Sequence, residues 1–307
     1  MGAPASLGRQ CFAEFFGTMY LVATIIGSGM MGAALSSDAA VALLGNTLAT
    51  WGILYVLIAA LGPVSGAHFN PVVTLAFFLR GDATWRQLLT YWPLQFGGGI
   101  VGAYVAHAMF MHRNGEFDGK DRDTDGEFFA EIVATVGLLG TIFGFIAAKA
   151  DVAMGVGLFI TAGYWFTSST SFANPAVTIA RSFTDTFASI SPKSFRAYLC
   201  GQLVGLVVAL PTFEWLFFER TLAQALATLA RRGPGAPPGG FFSGLVLAAK
   251  TRDGSAATSP TTPSSCSEAK EADVVGYAVA RDGDNTSGGS SSAASVKVVV
   301  LRGDHAA

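Results

Sequence analysis

Six apolar stretches separated by polar segments dominate the first 218 residues of the chain. A helix needs about 20 mostly apolar residues to cross a bilayer, and the stretches meet this length at least approximately, the fifth being the shortest. They cover residues 12–32, 41–61, 88–111, 128–148, 152–166 and 195–218. The pattern predicts an all-α membrane protein with six transmembrane helices.

Two shorter apolar segments lie between the second and third stretches and between the fifth and sixth. Each begins with small, turn-prone residues and continues with Asn70-Pro71 or Asn174-Pro175. Only about eight helix-compatible positions follow, too few to cross a bilayer at ~1.5 Å per residue. Asn is a favoured helix N-cap and Pro suits the first helical position, so each motif predicts the start of a re-entrant half-helix.

The two halves of this region resemble each other. An Ala-Glu pair opens the first stretch at Glu14 and the fourth at Glu131, and each half then carries its own Asn-Pro motif. A repeat of three spans inserts its second copy with opposite topology because three is odd. Residues 1–218 are therefore predicted to form one channel-like domain, with inverted repeats at about 10–111 and 128–218 and with the two Asn residues meeting near the membrane midplane.

The remaining residues, 219–307, have a different composition. Gly, Pro, Ser, Thr and Ala dominate, as in GPGAPPGG and SGGSSSAAS. Such a segment buries too little apolar surface to offset its ordering entropy, so it is predicted to be a disordered tail.

The overall composition supports a membrane protein and argues against other classes. The chain is 51% hydrophobic and only 13% charged, and its mean hydropathy is +0.47. A net charge of -2 offers no basic surface, so nucleic acid is not an expected partner. The three cysteines and four histidines form no metal-binding or catalytic motif, so we expect no metal, no cofactor and no enzymatic activity.

Two half-helices with opposed N-termini would determine which kinds of solute could pass between them. Irregular backbone at membrane depth is tolerated where it lines a cavity, and each helix N-terminus carries about half a positive charge. A cation or a migrating proton would meet a barrier at this point, whereas a small neutral solute would not.

The segments AEFFGT, SGAHFNPV and FANPAVT, together with the second Ala-Glu pair, resemble the major intrinsic protein family of aquaporins and aquaglyceroporins. The resemblance extends over about residues 10–218. It implies six spans plus two half-helices, passive flux of small neutral solutes, a homotetramer with one pore per protomer, and an N-terminus inside. The resemblance to bacterial members implies a location in the inner membrane.

The same family motif reads Asn-Pro-Ala. The second copy matches at Ala176, whereas Val72 replaces Ala in the first. A larger side chain behind the cap is expected to adjust the approach of the half-helices modestly and to leave the Asn donors in place.

Three residues before or between these motifs have two interpretations each. Glu14 and Glu131 either couple ions or protons, or brace the re-entrant loops by accepting N–H bonds; bracing is preferred because each repeat has one carboxylate and no relay partner. His68 is either a loop histidine satisfied by its neighbours or, as the resemblance implies, a pore-lining residue.

The outer selectivity filter departs from the family. Most relatives carry Arg directly after the second Asn-Pro-Ala, where this chain has Val177; the other filter positions, matched by distance from the two Asn residues, are Thr50, Ala162 and Ser171. Small neutral side chains predict a wider, less polar filter that admits solutes such as glycerol, urea or undissociated metalloid acids such as arsenious acid.

Arg181 lies one helical turn after Val177. It either reaches the pore mouth and partly substitutes for the missing Arg, or lies at the outer end of the half-helix near the interface, which is the preferred placement.

A secondary transporter is the alternative function, since such proteins also use inverted repeats and broken helices. A transporter would need intramembrane ion or proton sites beyond the two glutamates, and the sequence offers no such set.

Overall fold

The computed structural model describes residues 5–112 and 119–231, which form nine α-helices, one 3-10 turn (Arg181–Phe183) and no strand. The α-helices are α1 (Leu7–Leu35), α2 (Ala39–Ser65), α3 (Pro71–Leu79), α4 (Trp85–Met109), α5 (Asp125–Ala147), α6 (Val152–Phe166), α7 (Pro175–Ala180), α8 (Phe195–Phe218) and α9 (Leu222–Arg231). The six longer helices α1, α2, α4, α5, α6 and α8 correspond to the six predicted spans, and α3 and α7 are the two half-helices.

Four of these helices, α1, α2, α5 and α8, are long and apolar enough to cross a membrane, while α6 is apolar but has only 15 residues. Helix α4 is 25 residues long and includes Gln87, Gln95 and His107. All three of these polar side chains are buried inside the protein. These three side chains of α4 therefore face protein, which is the arrangement that polar residues require at membrane depth.

Close helix pairs join the elements within each repeat. Helix α1 packs on α4, and its counterpart α5 packs on α8. A Cβ atom at Gly98 would lie 2.3 Å from the carbonyl oxygen of Phe15, and one at Gly205 would lie 2.9 Å from that of Ile132. Glycine permits both backbone contacts, as small residues commonly do between membrane helices.

A buried ion network holds the end of α3 against α8. Arg80 is 4% exposed; its Nη1 lies 2.5 Å from a Glu214 carboxylate oxygen, and its Nε donates to Asp82 at 2.9 Å. The second Glu214 oxygen lies 3.0 Å from Nη2 of Arg220, and the Arg80 guanidinium stacks 4.4 Å from the ring centre of Phe143. The network fixes the far end of the first half-helix.

The structure differs from the predicted tail in one place, because α9 occupies residues 222–231. Its sequence, LAQALATLAR, is rich in strong helix formers. Thr221 and Gln224 form reciprocal hydrogen bonds of the capping-box type at its start. The prediction for residues 232–307 lies outside the described residues.

Candidate functional site

The two Asn-Pro motifs lie against each other at the centre of the protomer. The Asn70 side-chain amide donates to the Ala173 carbonyl at 2.7 Å, and the Asn174 amide donates to the Phe69 carbonyl at 2.9 Å. The Oδ1 atom of each Asn caps its own half-helix, accepting from Val72 N at 3.0 Å and from Ala176 N at 2.9 Å. Each amide therefore keeps one N–H that is not used by the opposite loop.

Glu14 fixes the first re-entrant loop. Its carboxylate accepts from the backbone N–H groups of His68 (3.0 Å) and Phe69 (2.7 Å). It also accepts from the Ser65 hydroxyl at 2.6 Å and from the Gln95 amide at 2.8 Å. All of the carboxylate's observed bonds are from loop or helix donors, which is the geometry of the bracing interpretation.

Glu131 makes the equivalent contacts in the second repeat. It accepts from Phe172 N at 2.9 Å and from Ala173 N at 2.8 Å. The Gln202 amide donates to the same carboxylate at 2.6 Å and to the Thr178 hydroxyl at 2.9 Å. In the first repeat, Gln95 bridges Glu14 and Thr74 in the same way.

The loops before the half-helices adopt strained backbone in matched positions. Non-glycine residues with positive φ are Ala67 (50°) and Phe69 (48°) in the first loop, and Thr170 (58°), Ser171 (51°) and Ala173 (45°) in the second; the position that matches Thr170 is Gly66 (99°). Such conformations persist where surrounding contacts over-determine them, and the glutamate bonds provide those contacts here.

A cavity of about 100 Å³ runs beside both Asn residues. Its walls are apolar stripes at helical spacing, such as Val152, Val156, Ile160 and Tyr164 on α6. Further wall residues are Leu21, Ile25, Leu54, Ile58, Leu138, Ile142 and Ile146. Polar groups interrupt this surface at a few places, including Asn70, Asn174 and His68.

His68 lines the cavity, and one of its two ring nitrogens has a hydrogen-bond partner in the protein. Its Nδ1 lies 3.1 Å from the Thr74 hydroxyl and its ring stacks on Phe77 at 4.8 Å. The Nε2 atom is buried and has no hydrogen-bond partner within the described chain. The two interpretations of this histidine are thus compatible.

The structure brings together three of the four predicted filter residues. Thr50, Ser171 and Val177 line the cavity, and the Ser171 hydroxyl is buried without a protein partner. Ala162 is exposed and lies outside the cavity, so its assignment to the filter was wrong. The residues of α6 that line the cavity recur every four positions, and the last of them is Tyr164. The Tyr164 hydroxyl lies 3.2 Å from that of Thr50.

Arg181 also lines the cavity, although its preferred placement was the outer interface. Its side chain is 3% exposed, and its guanidinium lies 3.6 Å from the ring centre of Phe172. The Nε atom donates to the Ala188 carbonyl. The 3-10 turn that follows α7 ends the half-helix early and keeps Arg181 inside the protein.

The remaining motif residues are structural supports of this site. Pro71, Val72, Pro175 and Ala176 are buried in the first turns of the half-helices. Four further residues of the site were not predicted from the sequence: Tyr164, Phe172, Gln95 and Gln202. The two glutamines had a signal, since each is a polar residue at the corresponding place of an apolar span.

Among residues 5–112 and 119–231, no group of three or more His, Cys, Asp or Glu side chains is arranged to hold a metal ion.

Comparison with known proteins supports the same architecture. The model of the major intrinsic protein family matches residues 3–151. The chain is 47% identical over 211 residues to aquaglyceroporin AqpS from Rhizobium meliloti (strain 1021), covering 68% of this chain and 91% of that one. It is 30% identical to aquaporin NIP1-1 from Zea mays, covering 68% of this chain and 75% of the relative.

A solved structure shows the same fold. The X-ray structure of the aquaglyceroporin from Plasmodium falciparum superposes with a TM-score of 0.54 at 23% identity, covering 68% of this chain and 96% of the other. The fold and site together define an integral membrane protein with six spans, two re-entrant half-helices and an internal cavity. The chain belongs to the major intrinsic protein family.

Proposed function

We propose that the protein is a passive transmembrane channel for small uncharged solutes, with water, glycerol and similar molecules as its passengers. The observation that carries this proposal is the convergence of the Asn70 and Asn174 amides on one cavity within a single protomer. Each amide presents a spare donor where a solute must pass.

The composition of the cavity wall favours solutes that have both polar and apolar surface. The α2, α5 and α6 stripes expose Leu, Ile and Val side chains, and the polar groups are confined to the Asn pair, His68 and the filter end. A polyol such as glycerol satisfies both surfaces, because its hydroxyl groups bond to the donors while its carbon backbone contacts the apolar wall.

The filter end comprises Thr50, Tyr164, Ser171, Val177 and Arg181. Val177 provides no hydrogen-bond donor, whereas the Arg181 guanidinium lies one turn further along and supplies donors to the same cavity. This arrangement leaves more room beside Val177 than an arginine would. It is suited to glycerol, urea and undissociated metalloid acids such as arsenious acid as well as to water.

Ions and protons are excluded by the chemistry of the centre. Both half-helices begin at the cavity, and among the residues that the structure describes no acidic side chain lines it that would stabilise a cation. An apolar wall also offers no replacement for the hydration shell of an ion.

The wider setting of this channel follows from the same proposal. The protein acts as a homotetramer with one pore in each protomer, in the inner membrane of a bacterium, and it catalyses no reaction. The similarity to the Rhizobium aquaglyceroporin supports the bacterial location.

Stopped-flow light scattering on proteoliposomes tests the proposal. Water, glycerol and arsenious acid gradients should each be compared with protein-free liposomes of the same lipid. We expect glycerol flux that does not saturate with concentration and has a low activation energy. Saturating flux, or flux that requires an ion gradient, would instead identify the alternative function of a secondary transporter.

A further inference from the structure

Arg181 lines the filter end of the cavity, and two further cationic side chains, Lys120 and Arg122, lie near it around one short loop. This loop, residues 184–194, follows the 3-10 turn and is called the Ser191 loop. Three consecutive carbonyl groups of the loop each accept from one cation. Phe187 O accepts from Lys120 Nζ at 3.1 Å, Ala188 O accepts from Arg181 Nε, and Ser189 O accepts from Arg122 Nε at 3.1 Å.

The connector between the two repeats brings two of these cations to the loop. Lys120 donates its backbone N–H to the Ser189 hydroxyl at 3.1 Å and accepts from Ser191 N at 2.7 Å. The backbone N–H of Arg122 donates to the Ser194 hydroxyl at 2.9 Å. The connector is therefore fixed to the loop by its backbone, which holds both side chains beside Arg181.

The partners of the three cations are neutral. Besides the carbonyl groups, they contact aromatic rings: Arg122 and Arg181 lie 5.5 and 3.6 Å from the centre of Phe172, and Lys120 lies 4.6 Å from that of Phe187. Within the part of the chain that the structure describes, none of the three forms an ion pair with a carboxylate. Partial burial and the neighbouring charges of Arg122 and Arg181 lower the pKa of Lys120.

Arg181 also keeps donors that the protein does not use. Its side chain is 3% exposed and lines the cavity, and only its Nε has an acceptor within the described residues. A guanidinium with free Nη groups matches two oxygens of an oxyanion in one plane. A neutral solute would use these donors, but it would add no negative charge beyond that of Glu131, a carboxylate that acts on Arg181 without forming an ion pair with it.

We propose that Lys120, Arg122 and Arg181 form a binding site for a small oxyanion at the filter end of the cavity. The anion is held at the mouth because the apolar wall beyond it cannot replace its hydration. Its occupancy therefore obstructs the entry of neutral solutes and does not lead to its own passage.

Inorganic phosphate binding to the purified full chain, measured by isothermal titration calorimetry, tests the site directly. The test variant is Lys120→Gln/Arg122→Gln, and the matched control is Lys149→Gln, since Lys149 is an exposed lysine beyond the opposite end of α5. We expect saturable binding to the wild type and to K149Q, and affinity at least about tenfold weaker in the double variant, as for loss of close charge pairs. No saturable binding to the wild type, or equal affinity in the double variant, would overturn the proposal.

Two further measurements keep this test decisive. Should the double variant unfold, the single variant Lys120→Gln is used, because the Lys120 ammonium group makes its hydrogen bond at the protein surface; the affinity of this variant for phosphate should still fall severalfold. Glycerol flux in proteoliposomes should decrease with phosphate at constant ionic strength set by chloride. This flux measurement rests on the proposed channel function, whereas calorimetry does not. Failure of the oxyanion site can therefore be distinguished from failure of the channel function.

Discussion

The hydroxyl groups of Thr50 and Tyr164 lie 3.2 Å apart and join α2 to α6 where both helices reach the filter end of the cavity. Tyr164 is the largest uncharged side chain among the five filter-end residues, and its hydrogen bond holds it at the cavity surface. We therefore propose that Tyr164, more than the residue after the second Asn-Pro-Ala, limits the size of the solute.

Replacing Tyr164 with Ala should widen the filter. We expect glycerol permeability to rise severalfold, and polyols with longer carbon chains to gain more than glycerol does, because a ring is removed from the narrow part. Stopped-flow measurements on proteoliposomes provide the comparison. Tyr20→Ala serves as the control, since Tyr20 is an exposed tyrosine of α1 outside the cavity; equal permeabilities in both variants would contradict this role for Tyr164.

Replacing Val177 with Arg should have the opposite effect. A second guanidinium beside Arg181 would narrow the filter and add a like charge, so we expect glycerol flux to fall by roughly tenfold or more while water flux falls less. Val177→Ala keeps the site small and neutral and should retain glycerol flux. The filter assignment would be wrong if the folded Val177→Arg protein conducted glycerol as the wild type does.

The sequence predicted the architecture well because the information is local and repeated. Span lengths, the Asn-Pro caps and the matching glutamates can each be identified from a few neighbouring residues, and the inverted relation follows from the odd number of spans. These features predict where Asn70 and Asn174 lie without any information about contacts between distant residues.

The filter was harder to predict because it depends on the rotation of one helix. Ala162 was chosen by its distance in sequence from Asn174. The residues of α6 that face the cavity instead recur every four positions and end at Tyr164. The position of Arg181 likewise depends on a non-local acceptor, the Ala188 carbonyl, which no pattern around α7 identifies. Helical periodicity could have corrected the first error but not the second.

Replacing either buried glutamate with Gln should destabilise the protein. The Glu14 carboxylate accepts four hydrogen bonds, and an amide would direct its NH₂ group at donors that then lose their acceptor. We expect the free energy of unfolding to fall by about 1–3 kcal/mol for each of Glu14→Gln and Glu131→Gln. Thermal unfolding in detergent measures this loss.

The exposed Glu219 offers a matched control for these two variants. Glu219→Gln should unfold at the wild-type temperature. If Glu14→Gln unfolded at the same temperature as Glu219→Gln, the carboxylate would not be an important brace of the loop.

Breaking the buried ion network should lower the free energy of unfolding more than replacing Glu14 or Glu131 with Gln does. Arg80→Gln leaves the Glu214 carboxylate, which is 0% exposed, with Arg220 as its only cation in the described network. Removing one partner of a buried pair typically costs about 3–5 kcal/mol. Arg220 is 34% exposed, so Arg220→Gln should cost distinctly less, and comparable unfolding temperatures for the two variants would contradict this ranking.

Mercurial reagents provide a chemical test of where the solute passes. Ser171 lines the cavity, and its buried hydroxyl has no partner within the described chain, so a thiol fits there without breaking a hydrogen bond. Cys11 and Cys200 lie outside the cavity, and the wild type should therefore show no block through the filter. Ser171→Cys, with Cys11, Cys200 and Cys266 replaced by Ser, should become mercury-sensitive in glycerol flux and recover on adding a thiol reductant. Strong inhibition of the same triple-serine background with Ser171 intact, or no inhibition of the Ser171→Cys protein, would place the solute path elsewhere.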